Sequence, residues 1–253
     1  MLYLGSQKVV PVIERPSVKR EVVNGVFSMP TSGVDFVLPD TATDIGDYAL
    51  YYAFYKSTGI NKFSTNKATQ ITGKEAIENA FRDSSVTEAD MSSIVSITGN
   101  TSAYNTFNNC KSLTKLNLGG LETISVSMQR FCEGCTSLAE IDFSSLESVT
   151  VANGCYYMFH GCTSLTNVTF PKLSSIAVSY AFQYMFYGCK NMNIYFPALT
   201  TNSFGSYTNQ FGSFFYGGTD NTVHFPSNLE STLTSWNFSG TRTTKLFDLP
   251  ATE

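Results

Sequence analysis

The chain has 253 residues and a net charge of −4, from 16 Lys and Arg against 20 Asp and Glu. That balance excludes a binder of phosphate backbones, which needs a broad basic face, and the basic residues cluster only at Lys8, Arg15, Lys19 and Arg20. Charged residues are only 14% of the chain, so 30 Ser, 29 Thr and 18 Asn supply the polar surface, while 42% apolar residues exclude a disordered chain.

The first 33 residues read as a piece of their own. Met1-Leu2-Tyr3-Leu4-Gly5 lacks a basic stretch leading into a long apolar one, so no secretory signal is expected. No run approaches the roughly 18 apolar residues of a membrane span. Leu2-Tyr3-Leu4 and Val9-Val10-Pro11-Val12-Ile13, separated by Gly5-Ser6-Gln7-Lys8, predict a small hairpin. Pro11 cannot donate to a ladder, which confines the second strand to an edge. Arg15 to Asn24 is charged and predicts an exposed connector. Val34-Asp35-Phe36-Val37-Leu38-Pro39 then predicts a degenerate strand opening a repeat array.

The array is the dominant signal. Ala53-Phe54-Tyr55-Lys56-Ser57 and Ala80-Phe81-Arg82-Asp83-Ser84 are its first two copies. Phe107-Asn-Asn-Cys110-Lys-Ser-Leu113, Cys132-Glu-Gly-Cys135-Thr-Ser-Leu138, Phe159-His-Gly-Cys162-Thr-Ser-Leu165 and Phe186-Tyr-Gly-Cys189-Lys-Asn-Met192 follow, with the Cys column stepping by 25, 27 and 27 residues. Phe215-Tyr216-Gly217-Gly218 is the seventh, with Gly in the Cys place. The Ser84 copy carries a polar stretch, Val86 to Ser93, which reads as an insertion before Val95-Ser96-Ile97.

Each later copy continues into an apolar-polar-apolar triplet: Leu116-Asn-Leu118, Ile141-Asp-Phe143, Val168-Thr-Phe170, Ile194-Tyr-Phe196 and Val223-His-Phe225. Such a triplet predicts a short strand with one buried face, ended by Pro171, Pro197 and Pro226 in the last three. Leu121, Leu146, Leu173 and Leu199, then Ile124, Val149 and Ile176, form further buried columns. A unit of this size cannot bury its apolar side alone, so the units must stack into a solenoid. A short helical or 3₁₀ piece is expected opposite the strands, for example within Ala177 to Met185. Asn228 to Glu253 lacks the repeat element and predicts a C-terminal cap, with Trp236 over the last coil.

The pattern F-x-G-C-x-S-L-x-x-V/I-x-F-P resembles the BspA-type leucine-rich repeat, and its opening is similar to the short repeats of bacterial surface proteins. The match covers about 175 of 253 residues and is clean from Cys110 to Phe225. The resemblance implies an α/β solenoid, a leucine-rich repeat with a parallel ladder of short strands, helical or 3₁₀ turns opposite, and caps at both ends. It also implies adhesion or recognition rather than catalysis. The division expected is a docking hairpin and connector over 1–33, a solenoid over 34–226 and a cap over 227–253. The opening words L-Y-L-G-x-x-K-V-x-P-x-I are similar to the starts of tail and other virion proteins of phages infecting gut bacteria. A virion component is therefore expected, held to other virion proteins by its hairpin and displaying the solenoid to a host glycan or protein. A bacterial cell-surface adhesin and a carbohydrate-active protein are the rivals. Neither nucleic acid nor membrane insertion is expected.

Candidate chemistry is sparse. Cys132-Glu-Gly-Cys135 has C-x-x-C spacing, but a closed zinc site needs two more ligands at motif spacing, and the repeat already accounts for both positions. No metal or cofactor site is expected. Cys110, Cys135, Cys162 and Cys189 should stack as a buried, reduced thiol ladder, whereas Cys155 fits no column and is expected to be partly exposed. His160 and His224 have no nucleophile at a motif spacing. Glu140 and Asp142 share one strand face, so no catalytic residue is assigned. Strand alternation points Asn117, Asp142, Thr169, Tyr195 and His224 outward in one stripe, the candidate partner-binding surface. Tyr207 and Tyr216 are a second candidate to project from an otherwise buried aromatic segment.

Overall fold

The structure is a computed structural model that describes residues 33–252 apart from 235 and 237, together with the backbone of two strands at the N-terminus. Those two, β1 (Leu2–Leu4) and β2 (Gln7–Val10), pair antiparallel as the expected hairpin. Val12, Ile13 and the Arg15 to Asn24 connector lie outside the described residues.

Each of the first five coils contributes two strands and each later one a single strand. The first column holds β3 (Val34–Val37), β5 (Ile60–Ser64), β7 (Glu88–Asp90), β9 (Lys115–Asn117) and β11 (Glu140–Asp142), all parallel. Beside β11 a second parallel sheet continues with β13 (Asn167–Thr169), β14 (Asn193–Tyr195), β15 (Thr222–Pro226) and β16 (Thr244–Leu249). The other column is made of two-residue strands: β4 (Asp44–Ile45), β6 (Gln70–Ile71), β8 (Ser96–Ile97), β10 (Thr123–Ile124) and β12 (Ser148–Val149). The hairpin joins this sheet where Leu4 pairs with Ile45.

The stretch Val86 to Ser93 is an ordinary coil, not an insertion. Ala89 sits in register between Phe63 and Leu116, and Val86, Ala89 and Met91 are buried. The small Ala89, flanked by Glu88 and Asp90, disguises a strand triplet. Ile97 belongs to the second column, paired with Ile124.

The expectation of helical pieces opposite the strands is corrected. Among the described residues helix is confined to the 3₁₀ turns Thr201–Phe204 and Ser227–Leu229 and one α-turn, Glu230–Leu233. The rest of the turn face is a run of tight turns with a left-handed residue every fourth position, as at Tyr48, Tyr52 and Lys56 or Glu75, Asn79 and Asp83. A left-handed residue costs roughly 1–2 kcal/mol and breaks the continuous i→i−4 bonding of a helix. The return is full use of the backbone donors. The N–H groups of Tyr48, Leu50, Tyr52, Phe54 and Lys56 donate to carbonyls of the next coil, while those of Ala49, Tyr51, Ala53, Tyr55 and Ser57 close turns three residues back. The architecture is thus a parallel-strand β-solenoid rather than an α/β one.

The predicted columns form its core: Leu113, Leu138, Leu165, Leu121, Leu146, Leu173 and Leu199 are all fully buried. Of the strand residues expected inside, Ile141 alone is partly buried, packed against the core. Two aromatic spines run beside them. Phe54, Phe81 and Phe107 stack at 5.0 and 5.1 Å. Phe143, Phe170, Phe196 and Phe225 stack at 5.0, 4.9 and 5.7 Å. The segment expected as a C-terminal cap supplies one more ladder strand, β16, whose Phe247 stacks on Phe225 at 5.9 Å. Trp236 packs edge-on against Phe204 at 4.9 Å.

The thiols obey one rule. Sγ of Cys110, Cys135, Cys162 and Cys189 donates to the carbonyl of residue 81, 107, 132 or 159, in each case three residues before the same position of the preceding coil. The distances, 2.9, 3.0, 3.2 and 3.3 Å, show the column in a regular stack. All six cysteines are free and buried, which corrects the expectation for Cys155. Burial pushes the Cys132 thiol up to about 11 and that of Cys189 to about 12. A thiol reagent at pH 8 is therefore expected to modify no cysteine in the folded protein and all 6 after denaturation, counted by mass spectrometry. Rapid labelling of the native protein would refute the buried ladder.

Candidate functional site

The outward stripe is continuous in register within each sheet. Ser64, Asp90, Asn117 and Asp142 align in the first, and Thr169, Tyr195, His224 and Leu246 in the second. No backbone ladder joins Asp142 to Thr169. The two halves have different jobs, and the residue two positions later decides which.

In the first half each of these four side chains accepts the backbone N–H two residues on. Ser64 takes that of Asn66 at 3.0 Å, Asp90 that of Ser92 at 3.1 Å, Asn117 that of Gly119 at 2.9 Å and Asp142 that of Ser144 at 2.8 Å. These are side-chain-closed turns that end the strand. Where Pro stands two residues on, there is no N–H to cap. Val37, Thr169, Tyr195 and His224 precede Pro39, Pro171, Pro197 and Pro226 in this way. Asn117 and Asp142 are thus committed to the scaffold, whereas Thr169 and Tyr195 are released from that duty. Asp142→Ala is expected to lower stability by roughly 1 kcal/mol and Thr169→Ala by almost nothing, read from denaturant midpoints. Equal losses would contradict the division.

His224 does not project into solvent. It is 8% exposed, its Nδ1 bonds the Asp248 carboxylate at 2.9 Å, and its ring stacks on Tyr195 at 4.2 Å. The cause is β16, which lays Leu246 beside it. Leu246 and Asp248 join the stripe although sequence reasoning placed them in the cap. The signal was present: Phe247-Asp248-Leu249-Pro250 repeats the ending Phe36-Val37-Leu38-Pro39. Of the five candidates, Asp142 and Thr169 are exposed and Asn117 and Tyr195 half-buried.

Beside this stripe runs a column of outward charges, with Lys62 bonded to Glu88 at 2.9 Å and Lys115 to Glu140 at 3.1 Å. A groove of about 340 Å³ lies between the two rows, lined by Asp35, Lys62, Glu88, Asp90 and Asn117 among others. Glu140 and Asp142 lie on one face of a single strand, the first paired with Lys115 and the second with the Ser144 amide.

Cys132 and Cys135 are both core members. Among the described residues no three His, Cys, Asp or Glu side chains gather as a metal site. His160 sits in a turn before the left-handed Gly161, its Nδ1 2.9 Å from Glu133. Tyr207 and Tyr216 project as expected, while Phe211, Phe214 and Phe215 are buried. No helix among the described residues is long and apolar enough to cross a membrane.

No curated protein and no solved structure matches the chain. The family model described as "BspA type Leucine rich repeat region (6 copies)" matches residues 20–156 and 150–252, and it indicates no enzyme family. Most of the chain is therefore covered by this one family model, and the protein belongs to the BspA-type leucine-rich repeat family.

Proposed function

We propose that the protein is a non-enzymatic recognition component of a phage tail or virion whose strand face meets a host-surface glycan or protein. The observation that carries this reading is the Pro-terminated half of the strand face. There the scaffold makes no demand on Thr169 or Tyr195, and the Tyr195 ring is held in place by its stack on His224. A rigid aromatic ring with a polar tip supplies contact area at low entropic cost. Membership of a leucine-rich repeat family supports binding, since solenoids offer extended surfaces to large partners. The resemblance of the opening residues to virion proteins supports the location. The N-terminal hairpin, paired to the solenoid through Leu4 and Ile45, is the part proposed to contact other virion proteins.

The test is binding of the full-length protein to intact gut-bacterial cells, compared with Tyr195→Ala. Loss of roughly tenfold in affinity, with an unchanged melting curve, is expected. Undiminished binding by the folded variant overturns the strand face as the contact. A bacterial surface adhesin is favoured instead by the family alone. Antibody labelling on purified particles supports the first reading, and labelling on the producing cell the second.

A further inference from the structure

The face opposite the strands carries features that recognition by the strand face leaves unused. In its turns two residues of every four point outward, and coil by coil they form columns. One column reads Tyr104, Gln129, Tyr156, Gln183. Its coils are fastened together by neighbouring backbone bonds, from Asn105 N–H to the Gln129 carbonyl at 3.1 Å, from Arg130 N–H to that of Tyr156 at 2.9 Å, and from Tyr157 N–H to that of Gln183 at 3.4 Å. Rings and carboxamides alternate along it, and the coil bearing Gln129 belongs to the shortest step of the Cys column, 25 residues against 27. A hollow lies on each side of Gln129. One, of about 560 Å³, is lined by Tyr104, Asn105, Asn108, Arg130 and Glu133. The other, of about 410 Å³, is lined by Tyr104, Asn153, Tyr156 and Gln183. Both volumes fall in the usual range for small-ligand sites.

The walls define what would fit. Among the described residues the side-chain amides of Asn105, Gln129, Asn153 and Gln183 make no hydrogen bond. Each offers one acceptor and two donors, a pattern that matches a pair of neighbouring hydroxyls. Tyr104 and Tyr156 add rings that can lie against the C–H face of a sugar while their hydroxyls bond its rim. The local charges satisfy one another. Arg130 lies 3.2 Å from Glu133 and its guanidinium sits over Tyr157 at 5.4 Å, while Glu133 is also 2.9 Å from His160 Nδ1. Half-burial pushes the Glu133 carboxyl up, but His160 and Arg130 outweigh it and hold it below the ordinary value. Arg82, also in the wall, lies 3.7 Å from the Asp83 carboxylate and donates to the Asn79 side chain at 3.4 Å, so each cation there has a carboxylate beside it, and the walls are too polar for a lipid chain. Beyond Tyr156 the row is braced by Tyr157 stacked on Tyr184 at 4.9 Å and 4°.

We propose that this turn face binds a neutral oligosaccharide, with Gln129 between two adjoining subsites. The proposal rests on the reading of the chain as a recognition protein and names a ligand class and a site for it. The experiment probes the full-length protein on an array of uncharged hexose and N-acetylhexosamine oligosaccharides, with sialylated and sulfated ones alongside, and on intact gut-bacterial cells. Neutral glycans are expected to bind. Gln129→Ala should weaken them roughly tenfold and Tyr156→Phe by less, since the ring remains. Lys172→Ala, outside the lining of either hollow, should change nothing. Melting curves identify any variant that has lost its fold. Unchanged glycan binding by folded Gln129→Ala, selectivity for acidic glycans, or loss on Tyr195→Ala alone overturns the turn-face site. Cell binding without neutral-glycan binding also overturns it and leaves the recognition reading standing, whereas failure to bind either removes both.

Discussion

Phe170→Ala is expected to cost roughly 3–5 kcal/mol of folding stability. Phe170 is fully buried, and its ring lies between Phe143 at 5.0 Å and Phe196 at 4.9 Å, with Phe182 at 5.9 Å. Removing it opens a cavity in the middle of a spine rather than at an end that can relax. The carbonyls and amides of the neighbouring coils already bond one another, so the walls cannot close freely. The denaturant midpoint, with the slope checked for constancy, measures the effect. A loss below about 1 kcal/mol would sink the stacked-column account, because no buried ring in a close-packed core is that dispensable. Leu165→Ala, in the adjacent column, should lose roughly 2–5 kcal/mol for the same reason.

The second large effect falls on a residue with no side chain. A methyl group on Gly99 would overlap the Gly73 carbonyl, and one on Gly73 would overlap the backbone of Gly46. These glycines form a corner just after the two-residue strands, where Gly73 N–H bonds the Ile45 carbonyl at 3.1 Å and Gly99 N–H that of Ile71 at 3.3 Å. The obstacle is backbone, which cannot swing aside as a side chain would. Gly99→Ala should therefore destabilise by roughly 3 kcal/mol or more, or abolish soluble expression. Gly161→Ala is the contrast. Its φ is +70° but nothing lies within 4 Å of the added methyl, so it should cost only about 1–2 kcal/mol of backbone strain. Equal melting shifts in the two variants would mean that the coils do not approach as closely at Gly99 as described.

Much of the architecture was legible because the columns are written in large apolar residues at a near-constant step. Cys110, Leu165 and Phe170 each sit where periodicity puts them. The coil containing Ala89 was hidden because its strand core is the smallest apolar residue between two acids. The turn face was misread for a different reason. Left-handed turns are usually announced by Gly or Asn, and Gly161, Asn105 and Asn153 do so. Tyr48, Tyr52, Tyr157 and Tyr184 occupy equivalent positions with no such mark, since bonds to the next coil, and not local preference, hold them there.

The candidate stripe was legible as a direction but not as a division of labour. Alternation correctly put Asn117 and Asp142 outside, yet outside does not mean unoccupied: their oxygens close the turns to Gly119 and Ser144. That commitment could have been read from the amide nitrogen two residues on, which proline lacks in the later coils. The burial of His224 could not be read from its own coil. It follows from a strand 20 or more residues downstream, where Asp248 supplies its partner and Leu246 its cover.

The prolines at 39, 171, 197 and 226 carry a consequence for how such a chain diversifies. An imino acid makes no request of the side chain two places before it, so positions 37, 169 and 195 can change their chemistry while the frame stays intact. Selection for a new target could act there one letter at a time, whereas the same experiment at 64, 90, 117 or 142 would unfasten a bend with nearly every trial.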